Sequence, residues 1–140
     1  MQLLVFRQTP VIGKLRHARH IRDSNKFPYL CKNFIQMSSE VIIENITKAI
    51  HTQDPTAQAF LFGSRARGDN KPDSDWDILI LINNQTVTSE IEDRFRDVLY
   101  NIELESGQII STFIYPKSFW NNSLKYSPLY RAVKKEGVKL

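Results

Sequence analysis

The sequence predicts a small α/β (α+β) domain built on a mixed sheet of three to four strands flanked by helices. Three observations carry that expectation. Apolar residues recur at helical spacing between Ser38 and Asp54, and again between Ser89 and Gly107. Three apolar runs, Ala57–Phe62, Trp76–Ile82 and Ile109–Tyr115, have the length of strands. The segments follow one another as helix, strand, turn, strand, helix, strand, helix, helix, an order that calls for helices layered on a sheet.

The first helix starts behind Ser38, whose hydroxyl suits an N-cap, with Met37 and Ile42 placed as a hydrophobic staple. Ile42, Ile46, Ala49 and Ile50 share one face, and Asp54-Pro55 ends the helix. Ala57–Phe62 is the first strand. Gly63–Gly68 reads as a tight turn with one helical turn, and Asn70–Ser74 as a polar loop around Pro72. Trp76–Ile82 is apolar on both faces, the mark of a central, covered strand. Ser89 and Glu92 are spaced as a capping box ahead of Ile91, Phe95, Val98, Leu99 and Ile102, and Gly107 stops that helix. Ile109–Tyr115 is the third strand. Lys117–Lys125 and Pro128–Glu136 are two short helices, the second stopped by Gly137. Phe119, Trp120, Tyr126, Leu129 and Tyr130 are expected to pack on the sheet, and Lys134, Lys135 and Lys139 to form a solvated helix terminus favoured by the helix dipole.

A length of 140 residues with 41% hydrophobic side chains suits one domain with a modest core. No apolar run approaches the roughly 20 residues of a membrane helix, so no membrane partner is expected. Met1–Phe6 is too short for the apolar core of a signal peptide. Cys31 is the single cysteine and can form no internal disulfide, which makes a cytoplasmic setting the default. The formal charge of +4 is unevenly spread. Residues 1–36 hold Arg7, Lys14, Arg16, Arg19, Arg22, Lys26 and Lys32 against Asp23 alone, a net +6, which leaves −2 for the rest. The basic balance therefore says little about the domain, and nucleic acid is not expected as its direct substrate. Pro10, Gly13 and Pro28 interrupt residues 1–36, which show no sustained periodicity. They read as a basic N-terminal extension: a disordered arm, a run upstream of a start at Met37, or a transit peptide. Residues 37–140 form the domain. His17 and His20 have a spacing that suits a metal, but no further ligand stands beside them and solvated side chains are expected.

The chemistry concentrates in Leu61-Phe-Gly-Ser-Arg-Ala-Arg-Gly68 and Asp73-Ser-Asp-Trp-Asp77. Gly63 ends a strand, lets the backbone turn and lets a ligand approach closely. Ser64 stands where a short helix begins, so its hydroxyl and the free amides there suit a phosphate. Arg65 and Arg67 add planar cationic forks matched to phosphate oxygens. Asp75 and Asp77 are two apart at the head of a strand, which puts both carboxylates on one face about 7 Å apart. Such a pair can share a hard divalent cation whose shell is completed by phosphate oxygens. Asp69 and Asp73 belong to the solvated loop.

Gly63-Ser64-Arg65-Ala66-Arg67-Gly68 followed by Ser74-Asp75-Trp76-Asp77 and an apolar strand resembles the minimal nucleotidyltransferases of the DNA polymerase β superfamily. The resemblance implies a small nucleotidyltransferase fold over 37–140. It implies that Gly63 and Ser64 hold the β- and γ-phosphates of a nucleoside triphosphate, that Asp75 and Asp77 ligate Mg²⁺ (or Mn²⁺), and that Arg65 or Arg67 neutralises phosphate charge. It implies attack of an acceptor hydroxyl on the α-phosphorus with release of pyrophosphate. It further implies a role as antitoxin beside a helical partner of the higher eukaryote and prokaryote nucleotide-binding (HEPN) class, in some pairs by transfer of AMP from ATP to a tyrosine of the toxin.

One position departs from the family pattern. A third carboxylate is expected from the strand at Ile109–Tyr115, where Ser111 or Thr112 stands instead. A hydroxyl is a poor general base at neutral pH. Glu103 and Glu105 precede that strand and would have to reach over from a helix end. Three readings follow: transfer of a nucleotide to a protein hydroxyl; a weak or inactive homologue that neutralises a toxin by contact; and an aminoglycoside-like modifier of small molecules, for which the chain lacks room for an acceptor-binding domain.

Overall fold

A computed structural model describes residues 37–140. The expectations for the extension 1–36, for His17 and His20 and for Cys31 lie outside the described residues.

The first helix, α1 (Ser39–Gln53), starts where the sequence places it. Ser38 is extended and its hydroxyl accepts from the Val41 amide at 3.4 Å, while Met37 packs on the core. Ile42, Ile46 and Ile50 are buried along one face. At the far end the Asp54 carboxylate accepts from the amide and hydroxyl of Thr56, at 2.8 and 2.7 Å, and turns the chain into the sheet. β1 (Gln58–Phe62) and β2 (Trp76–Ile82) run antiparallel, with Gln58 opposite Leu81 and Phe62 opposite Asp77. Between them lies the short helix α2 (Ser64–Arg67). The helix α3 (Ser89–Ser106) carries the chain across to β3 (Ile110–Pro116), which runs parallel to β2. Then come α4 (Lys117–Asn122), α5 (Pro128–Glu136) and β4 (Val138–Lys139), which pairs antiparallel with β1. The strand order is β3-β2-β1-β4, a mixed four-stranded sheet.

The uninterrupted apolar run of β2 follows from this order. β2 is an inner strand covered on both faces. Trp76, Ile78, Ile80 and Ile82 point to one side, into a core with Ile42, Ile46 and Ile50 of α1 and Ile91, Phe95, Leu99 and Ile102 of α3. Leu79 and Leu81 point to the other, against Phe62, Trp120 of α4 and Val133 of α5. The aromatic C-terminal segment therefore packs on the sheet at Trp120 and in part at Tyr130 and Leu129, but Tyr126 is 80% exposed.

Four expectations are corrected. Thr88, not Ser89, caps α3: Thr88 is extended and its hydroxyl accepts from the Ile91 amide at 3.4 Å, so the helix begins one residue earlier than a Ser89–Glu92 box requires. The third strand is shifted by one, because the Ile109 carbonyl is taken by the Trp76 amide at 2.8 Å before the ladder begins. Helix α4 stops at Asn122 rather than Lys125, its last turn closed by the Phe119 carbonyl, which accepts from Ser123 and Leu124. Lys139 lies opposite Phe60 in β4 and not at a helix end. No helix among the described residues is long and apolar enough to cross a membrane.

Candidate functional site

The end of β1, the head of β2 and the head of β3 meet at one edge of the sheet. Alternation puts Asp77 on the same face as Leu79 and Leu81, the face covered by α4 and α5. Trp76 points the other way and is 1% exposed. Asp75, one residue ahead of the strand, is exposed, whereas Asp77 is half-buried. Burial pushes the Asp77 carboxyl above its ordinary range, the charge of Asp75 adds to the rise, and the charge of Arg67 opposes it. Asp75, Asp77 and Arg67 therefore share one electrostatic site.

Gly63 closes the site from the β1 side. Its φ of 76° and ψ of −155° lie in a region reserved for glycine. A Cβ at this position would collide with Oδ2 of Asp77. The turn and the diacid are thus in contact, with the Asp77 carboxylate against the bare Cα of Gly63. Ser64 follows at the start of α2, whose first internal bond runs from the Arg67 amide to the Gly63 carbonyl at 3.1 Å. The amides of Ser64, Arg65 and Ala66 precede that bond and have no place in the helical ladder.

The structure separates the two arginines that the sequence groups together. Arg67 stays at the site: Nε meets Asp69 Oδ2 at 3.2 Å and Nη1 meets Glu136 Oε1 at 2.9 Å, a tether from the last turn of α5. Those two carboxylates raise its pKa. Arg65 turns away. Its Nε and Nη2 donate to the Ser74 carbonyl at 2.8 and 2.6 Å, and Nη2 donates to Gln108 Oε1 at 2.5 Å. The guanidinium lies over the Trp76 ring, 4.1 Å from its centroid, and its burial lowers its pKa, with the Asp75 charge opposing. Two residues apart on a helix, the side chains do not share a face.

Of the two hydroxyls considered for the third-acid position, the register selects Ser111. It lies opposite Asp77, and its Oγ donates to Asp75 Oδ2 at a long 3.5 Å. Thr112 pairs with Ile78 and points to the other face. Glu103 does not reach over, because its Oε1 accepts from the Ile110 amide at 2.6 Å and anchors the head of β3. Among the described residues no third His, Cys, Asp or Glu joins Asp75 and Asp77. Gln108 and Glu136 escaped the sequence reading; each meets its arginine across a separation of 43 or 69 residues, beyond any local signal.

A family model described as "Polymerase beta, Nucleotidyltransferase" matches residues 44–122, more than half of the chain and all of the turn, the diacid and the head of β3. The chain belongs to the polymerase beta nucleotidyltransferase family. No curated protein matches it. The four-stranded mixed sheet with its flanking helices is a small nucleotidyltransferase fold, and nucleotidyl transfer is the general chemistry of the family. For a nucleotidyltransferase domain the donor set has the right character for a hard cation: two carboxylates on one face, the half-buried one disfavoured as an anion by burial and then by its neighbour's charge, both of which a cation would offset.

Proposed function

We propose that this nucleotidyltransferase transfers AMP from ATP to a hydroxyl of a protein partner, and that it serves in the cytoplasm as antitoxin to a helical HEPN-type protein. The observation that carries the nucleotide part is the contact between Gly63 and Asp77, which brings the turn and the diacid into one site. In this reading Gly63 and Ser64 hold the β- and γ-phosphates, Arg67 balances phosphate charge, and Asp75 and Asp77 hold Mg²⁺ (or Mn²⁺). The bound cation would supply Lewis-acid stabilisation of the attacking and leaving oxygens. The acceptor oxygen forms a new bond to the α-phosphorus. The bond from that phosphorus to the β-phosphate bridging oxygen breaks, pyrophosphate leaves, and the hydroxyl proton passes to solvent. Gly63 lets the triphosphate approach the backbone, and Arg67 must exchange Asp69 or Glu136 for phosphate oxygens as it binds. The protein acceptor and the antitoxin role rest on the likeness to minimal nucleotidyltransferases.

A second reading is favoured by Ser111 beside Asp77: a nucleotide-binding homologue with slow or absent transfer that neutralises its partner by contact. One experiment separates the two. The full chain is incubated with labelled ATP, Mg²⁺ and the product of the neighbouring gene. Label on the partner that disappears in Asp75→Ala and Asp77→Ala supports transfer. A tight unlabelled complex, unchanged by those substitutions, supports contact alone and sinks the enzymatic reading.

A further inference from the structure

We infer that Arg65 is a positioning residue, which fixes Asp75 beside Asp77 and the Gly63–Ser64 turn by clamping the backbone and side chain on either side of Asp75. The inference rests on the metal and nucleotide site proposed above and assigns Arg65 a task within it.

The loop between α2 and β2 is polar and exposed, with Pro72 at its middle, and has no core of its own. The ladder pairs Asp77 with Phe62, but Asp75 lies ahead of the strand, at the end of this loop. Arg65 ties the two ends together. Its Nε and Nη2 both hold the carbonyl of Ser74, the residue immediately before Asp75. Its guanidinium face covers the ring of Trp76, the residue immediately after. Asp75 is therefore bracketed by two anchored neighbours. Gln108 closes the assembly from the β3 side, with Oε1 accepting from Arg65 Nη2 and, at 3.1 Å, from Trp76 Nε1. The Trp76 amide donates to the Ile109 carbonyl at 2.8 Å, which fastens the same point to the head of β3. One side chain that starts a single residue after Ser64 thus joins the phosphate turn, the diacid and the strand that carries Ser111.

The chemistry is specific to arginine. Lysine offers a point charge and cannot donate from a planar fork to one carbonyl and one amide oxygen while stacking on an indole. The Nε and Nη2 donors and the face of this guanidinium are taken by Ser74, Gln108 and Trp76, which distinguishes the positioning role from a direct phosphate contact. Supporting groups behind metal ligands set ligand geometry, and their loss typically weakens metal affinity by about 10–100-fold.

The test uses the full chain with Mn²⁺ alone, followed by electron paramagnetic resonance, and then ATP with Mn²⁺ by calorimetry. In a Trp120→Phe background Trp76 is the only indole, so its emission reports the clamp directly. Arg65→Lys is expected to shift Trp76 emission and to weaken Mn²⁺ binding by about tenfold or more, within the range for such supporting groups. Gln108→Leu attacks the same clamp from the other side, leaves the Ser74 bonds in place, and is expected to give a smaller loss in the same direction. It also keeps the test open should Arg65 variants not fold. If Arg65→Lys shifts the Trp76 emission and binds Mn²⁺ as the parent does, the positioning role is wrong. If it weakens ATP alone, Arg65 is a phosphate contact and the inference is overturned. An Asp77→Asn control that keeps full Mn²⁺ affinity would instead overturn the metal site itself, so the two failures are distinguishable.

Discussion

Gly63→Ala offers a sharp test of how the site is assembled. The backbone there has φ 76° and ψ −155°, and a side chain held in that region costs about 1–3 kcal/mol. Taking about 2 kcal/mol, and about 4–8 °C of melting temperature per kcal/mol for a domain of this size, Tm should fall by about 8–16 °C. The clash adds a local consequence. The new Cβ collides with Asp77 Oδ2 and lies 3.2 Å from the carboxyl carbon, but 3.4 Å from Asp77 Cβ, an ordinary contact. The strand can therefore stay while the carboxylate rotates away. Binding of ATP with Mg²⁺ should weaken by at least about tenfold, roughly 1.4 kcal/mol. Gly68→Ala is the control. Its φ of 80° and ψ of 13° are left-handed, but nothing lies within 4 Å of a Cβ there. Strain of about 1 kcal/mol should lower Tm by about 4–8 °C with ATP affinity unchanged. Thermal unfolding and calorimetry on both variants decide the matter. Equal effects of the two substitutions on ATP affinity would refute the close approach of the turn to the diacid.

Three further outcomes are expected. Asp77 has its folded pKa raised, so its contribution to stability is present at low pH and is lost as pH rises through that value. Asp77→Asn should therefore raise Tm at pH 7 and lose the advantage below about pH 4, where the carboxyl is protonated in both states; a Tm lowered at pH 7 would contradict this. Ser111→Asp places a third carboxylate opposite Asp77, and should lower Tm in chelator, enlarge the Tm gain on adding Mn²⁺ and raise transfer, whereas a gain no larger than the parent's would show that position 111 does not face the diacid. Thr88→Ala should lower Tm by about 4–8 °C, the effect of about 1 kcal/mol of lost capping, while Ser89→Ala should change it little; equal losses would return the cap to Ser89.

The fold was largely legible because its main elements carry local signals. β2 announces itself as buried on both faces, and α1 carries its cap at Ser38 and its stop at Asp54. β4 was not legible. Val138 and Lys139 are two exposed residues with no alternation, and their partners Leu61 and Phe60 are far away in the chain. The same contrast holds at the site. The Asp-x-Asp spacing at 75 and 77 and the turning glycine at 63 are local facts, and the structure brings those residues together. The parting of Arg65 from Arg67 has a local signal, since residues two apart on a helix point to different sides. Where Arg65 then goes depended on Gln108, and where Arg67 is tied depended on Glu136, for which no spacing in the sequence prepares the reader.

Two residues of the site are poor choices for stability alone: Asp77 brings a half-buried charge next to Asp75, and Arg65 is partly desolvated. Ala or Asn at position 77 would relieve the repulsion, and a protein that only had to press its surface against a partner would not need the like charges. In the proposed site a bound cation would offset them, and a triphosphate would use the close approach that Gly63 permits. The local energetics therefore argue for nucleotide binding whichever way the question at Ser111 falls. In the proposed site the serine would bear on the hold over the cation and on proton removal, and less on the Gly63–Ser64 contact with the triphosphate. A contact-only antitoxin that still binds ATP would gain about 2.7 kcal/mol of stability at a ligand concentration 100 times Kd. With about 4–8 °C per kcal/mol, that is a thermal shift of roughly 11–22 °C. Its absence would remove the nucleotide site altogether, and its presence without labelled partner would leave Ser111 as the reason that binding does not lead to transfer.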